Sequence, residues 1–259
     1  MNLAELLSLA DQYEHSLPPI PPPFTAPIGG ALAGWLDQTL LKPEATREQI
    51  SKICIEARPA GFASVCINPS YVPLAVSLLA GCSTRVCTVV AFPLGADLPE
   101  LKAYETYSLV EKGAAEIDMV VNIGALKAED ISLIFDDVQA VVDAAANKAI
   151  VKVILETALL TRREKIVGCL VAKAAGADFV KTSTGFGPGG ATVEDVALLR
   201  CVVGAEMGVK ASGGIRTWKD AQAMIAAGAS RIGTSAGMSI LQEALHATHA
   251  SHASHGVAA

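Results

Sequence analysis

The chain is predicted to be an α/β protein: a closed (β/α)8 TIM barrel with a short N-terminal helix and a proline-rich lead-in. Three observations predict it. Eight β-type runs alternate with helical segments over about 210–220 residues, the size and order of such a barrel. Of the 259 residues, 51% are hydrophobic, 18% charged and only 5% aromatic, which suits parallel strands buried on both faces. Several helical segments end in a Gly step just before the next strand, as in Lys112-Gly113-Ala114, Ala175-Gly176-Ala177 and Ala227-Gly228-Ala229, where glycine serves as a left-handed cap.

The elements follow in order. Asn2–Glu14 reads as an amphipathic helix with Leu3, Leu6, Leu7 and Ala10 on one side. Leu17-Pro18-Pro19-Ile20-Pro21-Pro22-Pro23 forbids helix and favours extended chain. The barrel core is set at about 31–245 of one domain spanning 1–259. Residues 246–259 repeat His with Ala and Ser and are read as a frayed, disordered tail. The strands are placed at Gly34–Asp37, Ser64–Ile67, Arg85–Val90, Glu116–Val121, Ile150–Leu155, Phe179–Lys181, Gly208–Lys210 and Arg231–Gly233. The helices between them are placed at Thr46–Ala57, Pro69–Leu79, Leu98–Lys112, Asp130–Ala146, Thr161–Ala174, Thr192–Val203, Thr217–Ala227 and Ser235–Leu245. Thr or Asp opens several of them, and Thr192…Asp195 and Thr217…Asp220 resemble capping boxes. A doubly wound open sheet is the alternative fold, but no G-x-G-x-x-G follows an early strand.

A net charge of −6 and a pI near 5.4 do not favour a nucleic-acid partner, and no basic run resembles a phosphate-backbone stripe. No apolar stretch is long enough to span a bilayer, and no signal peptide is read at the start, so a cytoplasmic protein is expected. The six cysteines form no C-x-x-C pair and no zinc spacing; they read as reduced core thiols. His246, His249, His252 and His255 recur every third residue without carboxylate or cysteine company, so a low-complexity tract is favoured over a metal site.

Barrel chemistry sits at the C-terminal ends of strands, and that rule selects Asp37, Thr39, Asn68, Asp118, Glu156, Thr157, Lys181 and Lys210. A lone strand-end lysine is ordinarily solvated. Two on neighbouring strands, about 4.8 Å apart, place one amine where it lowers the pKa of the other. A deprotonated amine attacks carbonyls, so Lys181 and Lys210 point to Schiff-base chemistry. Asp118, a carboxylate in an apolar strand, needs a partner; it reads as a proton donor and acceptor beside an amine, or as half of a salt bridge to Lys152. Lys152 shares strand parity with Ile154 and Glu156 and is a secondary candidate. Thr182 heads a run of three hydroxyls suited to an anion, and Cys66 is read as a packed thiol, with reactivity the alternative. Glycine-rich segments after strands six to eight (185–190, 212–217 and 233–237) suit a phosphate, with Arg216 available to pair with it.

The motifs Leu36-Asp37-Gln38-Thr39-Leu40-Leu41-Lys42-Pro43, Val65-Cys66-Ile67-Asn68-Pro69, Glu116-Ile117-Asp118-Met119-Val120, Phe179-Val180-Lys181-Thr182-Ser183-Thr184-Gly185 and Val209-Lys210-Ala211-Ser212-Gly213-Gly214-Ile215-Arg216 resemble those of the 2-deoxyribose-5-phosphate aldolases. The resemblance covers Gly34 to Leu245. It implies a class I aldolase that interconverts 2-deoxy-D-ribose 5-phosphate with D-glyceraldehyde 3-phosphate and acetaldehyde, with no metal and no cofactor. By motif position it implies Lys181 as the Schiff-base lysine, Lys210 as its pKa-lowering neighbour and Asp118 in proton transfer with an ordered water. It places the phosphate on Gly185, Gly213, Gly214, Arg216, Gly233 and Ser235, with Thr39 beside the substrate. Some members carry a lysine where this chain has Phe186, and some end in a tyrosine where this chain ends in Ala259. The expected partner is a small phosphorylated sugar, and a homo-oligomer, dimer or tetramer, is expected. The alternatives are a phosphosugar isomerase or epimerase using Asp118 as base, and a non-catalytic phosphate-binding barrel.

Overall fold

A computed structural model describes residues 3–21, 27 and 29–255. Eight parallel strands close into a barrel: β1 (Leu36–Leu40), β2 (Ser64–Ile67), β3 (Arg85–Val90), β4 (Glu116–Val120), β5 (Ile150–Ile154), β6 (Phe179–Lys181), β7 (Gly208–Ser212) and β8 (Arg231–Thr234). The closing pairs are Leu36 with Ile232 and Asp37 with Gly233, which excludes the open-sheet alternative. The helices are α1 (Leu3–His15), α2 (Arg47–Ala60), α3 (Val72–Leu79), α4 (Pro99–Glu111), α5 (Ile123–Lys127), α6 (Ile131–Ala145), α7 (Arg162–Ala174), α8 (Val193–Val203), α9 (Trp218–Ala226) and α10 (Gly237–His255).

Strand parity sorts the side chains. Val65, Ile117, Met119, Val151, Val153, Val180, Val209, Ala211 and Ile232 join the apolar layer beneath the helices. The other parity fills the barrel interior, and there the chain puts Asp37, Cys66, Cys87, Asp118, Lys152, Lys181, Lys210 and Arg231. Burying so much charge is tolerable only where it is paired.

Several boundaries differ from expectation. Gly34 and Trp35 close a 3-10 turn (Gly29–Trp35), so β1 starts at Leu36 and runs on to Leu40. β7 continues past Lys210 to Ser212, which puts that lysine mid-strand rather than at an end. α5 lies in a stretch read as loop; its Asn122 cap accepts from the Ala125 amide at 3.0 Å. Pro59 is tolerated in the last turn of α2. The Thr217–Asp220 capping box is complete, but at α8 only Thr192 caps, because the Asp195 carboxylate is drawn to Lys165 at 2.6 Å. Gly113, Gly176 and Gly228 take the positive φ expected of caps.

Both ends also depart from the reading. α1 stands before the expected core boundary at 31, yet it packs on α7 and buries Leu6 and Ala10 in the same apolar core. Arg163 of α7 reinforces the contact by pairing with Asp11 and Glu14 of α1. Ser16–Pro21 is non-helical, as the prolines require; Pro22 and Pro23 lie outside the described residues. α10 runs to His255 instead of ending at Leu245, a correction to the expected frayed tail. Alanine at 244, 247, 250 and 253 supplies the helix propensity that the polar composition masked. The stretch 256–259 lies outside the described residues.

Candidate active site

Lys181 is the last residue of β6 and Lys210 its register partner on β7. Both ammonium groups donate to one atom, Asp118 Oδ2, each at 2.7 Å. The other oxygen of Asp118 accepts from Lys152 at 2.8 Å. Asp118 and Lys152 are register partners on β4 and β5, so the strand pairing itself sets that bond. Beneath this layer Lys210 also meets Asp37 Oδ2 at 2.5 Å, and Lys152 meets Glu116 at 2.6 Å. Arg231 joins Asp37 at 2.7 Å and Glu116 at 3.0 Å. Sequence reasoning missed Glu116 and Arg231, and it named Asp37 without its partners; a charged residue at inward parity was the available signal.

Electrostatics follow from this packing. Burial opposes the charge on Asp118, but Lys152, Lys181 and Lys210 outweigh it and hold the carboxyl well below its usual range. Burial likewise opposes Lys210, yet Asp118 and Asp37 raise it above an ordinary lysine. Lys152 is raised in the same way against burial, chiefly by Asp118. The buried cluster contains four cationic side chains (Lys152, Lys181, Lys210 and Arg231) and three carboxylates (Asp37, Glu116 and Asp118). Among these cations Lys181 is the one held by a single carboxylate, Asp118.

Lys181 forms the floor of a cavity of about 370 Å³ at the C-terminal end of the barrel. Every residue expected to bind substrate lines it: Thr39, Gly185, Gly213, Gly214, Arg216, Gly233 and Ser235. Gly213 and Gly214 both have positive φ, a backbone that favours glycine at both positions of this turn. Ser212 lines the cavity too, with a buried hydroxyl that meets no partner, and it was not singled out from sequence. The first amides of α10 are less free than the motif suggested. Ala236 donates to Thr234 Oγ1 at 3.0 Å and Gly237 to Gln38 Oε1 at 2.9 Å.

Three secondary candidates lie elsewhere. Thr182 is not on the cavity wall; its hydroxyl donates to the Ser212 carbonyl and accepts from the Ser212 amide, both at 3.1 Å, which spends it on joining β6 to β7. Cys66 sits inside the barrel in an apolar group with Leu41, Cys87 and Val89. Its hydrogen bond with Cys87 lowers the thiol and outweighs burial, whereas burial raises Cys87 well above the ordinary range. The donor atoms of Cys66, Cys87 and Asp118 fall within 4.8 Å of one another, but a cation there would sit beside the ammonium groups already bound to Asp118. Lys152 does not share its direction with Glu156, as parity suggested. β5 ends at Ile154, and Glu156 takes a left-handed backbone that turns its carboxylate to Thr184.

A lysine pair on a shared carboxylate, under a glycine-walled cavity at the mouth of a (β/α)8 barrel, defines a carbon–carbon lyase of the barrel-aldolase class. The chain belongs to the DeoC/LacD aldolase family, whose family model matches residues 33–246. It is 60% identical over 208 residues to the deoxyribose-phosphate aldolase of Streptococcus gordonii, covering 80% of this chain and 94% of that one. It is 58% identical over 211 residues to that of a Geobacillus species, covering 82% and 95%. Among solved structures, the tetrameric deoxyribose phosphate aldolase from Aeropyrum pernix superposes with a TM-score of 0.76 at 32% identity, covering 93% of this chain and 97% of that one. Among the described residues no helix is long and apolar enough to cross a membrane.

Proposed function

We propose that the protein is a class I aldolase that reversibly cleaves 2-deoxy-D-ribose 5-phosphate to D-glyceraldehyde 3-phosphate and acetaldehyde through a Schiff base on Lys181. The observation that carries the reading is the shared oxygen of Asp118, which holds Lys181 and Lys210 together at the cavity floor. Relatives bearing that aldolase name support the substrate.

The steps start from Lys181 on the cavity wall. Lys181 first passes a proton to water at the cavity mouth. Its free amine adds to the aldehyde carbon of the open-chain sugar, and loss of water leaves a protonated imine. A base then takes the proton of the C3 hydroxyl. The C2–C3 bond breaks, its electron pair flows into the imine as an enamine, and C3 leaves as the aldehyde of glyceraldehyde 3-phosphate. Protonation at C2 and hydrolysis release acetaldehyde and restore the amine. Asp118, with Lys210 and Lys152 on its two oxygens, exchanges protons with Lys181 and keeps the positive charge of Lys210 beside it. Gly185, Gly213, Gly214, Gly233, Ser235 and Arg216 receive the phosphate, and Thr39 stands beside the substrate.

The reading treats the chain as one barrel unit acting in the cytoplasm, supported by six free cysteines. It also includes self-association. The Aeropyrum pernix relative is a tetramer, and Leu94, Leu98, Leu101, Tyr104 and Tyr107 form an exposed apolar strip along the start and outer face of α4. Incubation with 2-deoxyribose 5-phosphate tests the reaction. Release of acetaldehyde and glyceraldehyde 3-phosphate in equal amounts is expected; an isomeric pentose phosphate without acetaldehyde contradicts it.

A further inference from the structure

Glu156 is a buried carboxylate that the interior charge cluster does not use. It is 2% exposed and adopts φ 57 and ψ 60, a conformation that persists for a side-chain-bearing residue only where its surroundings fix it. Its Oε2 accepts from the Thr184 hydroxyl and from the Thr184 amide at 3.2 Å. The Thr184 oxygen in turn accepts from the Phe186 amide at 3.0 Å. The carboxylate lies flat against Gly187, where a Cβ would come within 2.7 Å of its carbon. Its second oxygen, Oε1, is buried without a hydrogen-bond partner. A buried carboxylate oxygen without a protein partner is unfavourable for stability, which points to a task for the carboxylate other than holding the fold.

The segment it grips is the β6–α8 loop, which brings Gly185 and Phe186 to the cavity. The loop's other flank is fixed to β7. The Ala191 amide donates to the Gly213 carbonyl at 3.0 Å, and Gly190 has no room for a Cβ against that same carbonyl. The loop is therefore held between two supports: the β7 turn on one side and Glu156 on the other.

We propose that Glu156 is a positioning residue for the phosphate-facing half of the site. It draws the Thr184 hydroxyl, which turns the Phe186 amide inward and presents the Gly185 turn to the ligand. It does not touch the reacting atoms. This rests on the aldolase reading above and adds to it the group that sets affinity for the phosphorylated substrate.

The test compares Glu156→Gln, Thr184→Val and Thr184→Ser with the parent on 2-deoxyribose 5-phosphate and on unphosphorylated 2-deoxyribose. Glu156→Gln keeps the volume and removes the charge; Thr184→Val breaks the chain from its other end and decides the matter if the first variant does not fold. Both are expected to raise KM for the phosphorylated sugar about tenfold, the scale of one charge-assisted hydrogen bond. Both are expected to leave kcat within about threefold. Thr184→Ser is expected to restore the parent KM, and the unphosphorylated sugar to respond little. The proposal is overturned if KM stays within about twofold in Thr184→Val, or if kcat falls while KM holds. Borohydride trapping of acetaldehyde separates the two claims. An adduct on Lys181 in parent and variants alike supports Glu156 as a positioning group. Its loss in the variants alone overturns that role, and its absence in the parent overturns the aldolase reading.

Discussion

Lys181 and Lys210 meet at a single atom, Asp118 Oδ2, each 2.7 Å from it. Of the two, only Lys181 opens on the cavity.

The two lysines therefore fail differently when truncated. Lys181→Leu is expected to abolish cleavage with the fold intact, because it removes the amine that Asp118 holds against the cavity. Lys210→Leu is expected to lower kcat by about 10²–10⁴-fold, the range of a lost proton-transfer partner. Steady-state assays beside circular dichroism check both. Substantial turnover in Lys181→Leu removes it from its role.

Gly233 sets the position of Lys210. A Cβ there would lie 2.4 Å from Ser212 Oγ and 2.9 Å from Lys210 Cε. Gly233→Ala is expected to push the lysine stem aside, costing about 1–3 kcal/mol of stability by overpacking. Activity is expected to drop further than stability does. A thermal melt with kcat measured on the same sample distinguishes the two, and a fully active variant contradicts the tight fit.

The pH dependence of stability has a defined sign. Asp118 is held below its unfolded value, so its contribution is complete above about pH 4–5 and fades as pH falls through the folded value. Lys210 is held above its unfolded value, so its contribution is complete below about pH 10 and fades as pH rises beyond it. Melting temperature is expected to be flat with respect to both groups between these limits. Asp118→Asn is expected to lower it throughout that window, with the gap from the parent closing in acid. A gap that widens on acidification contradicts the assignment.

Lys102 and Asp137 form a second buried pair, at 2.7 Å, between α4 and α6. Lys102 also donates to the Val120 carbonyl at 2.9 Å, and Asp137 accepts from the Asn122 amide at 3.0 Å, which ties the end of β4 to the helix layer. Lys102→Met is expected to cost about 3–5 kcal/mol, because it strands a buried carboxylate. Urea unfolding of the single variant and of Lys102→Met with Asp137→Leu checks this; the double variant is expected to recover most of the loss.

α1 is part of the packed structure. Leu6 is 1% exposed and Ala10 fully buried. Leu6→Ala is expected to destabilise by about 2–5 kcal/mol. A change below about 0.5 kcal/mol, the level of an ordinary surface substitution, shows that the helix is not docked.

The sequence made the barrel legible because β-type runs alternate with capped amphipathic segments, and Lys181, Lys210 and Asp118 stood out as charges in apolar strands. What it hid depended on backbone turns and long-range pairing. Glu156 could not be placed by parity, because its left-handed backbone reverses the side-chain direction two residues after β5 ends. Arg231 and Glu116 were not singled out, because only barrel closure brings β8 and β4 to the same interior layer. The hydroxyl of Thr182 resembled an anion ligand, and only the register of β6 on β7 shows it spent on Ser212. The helical continuation to His255 was concealed by a polar repeat whose alanines favour helix.

The most direct measurement is to incubate the protein with acetaldehyde, reduce with borohydride and map the added mass by peptide sequencing. A single two-carbon adduct on Lys181, absent from Lys181→Leu, is the predicted result. An unmodified Lys181, or an adduct confined to any other lysine, contradicts the account.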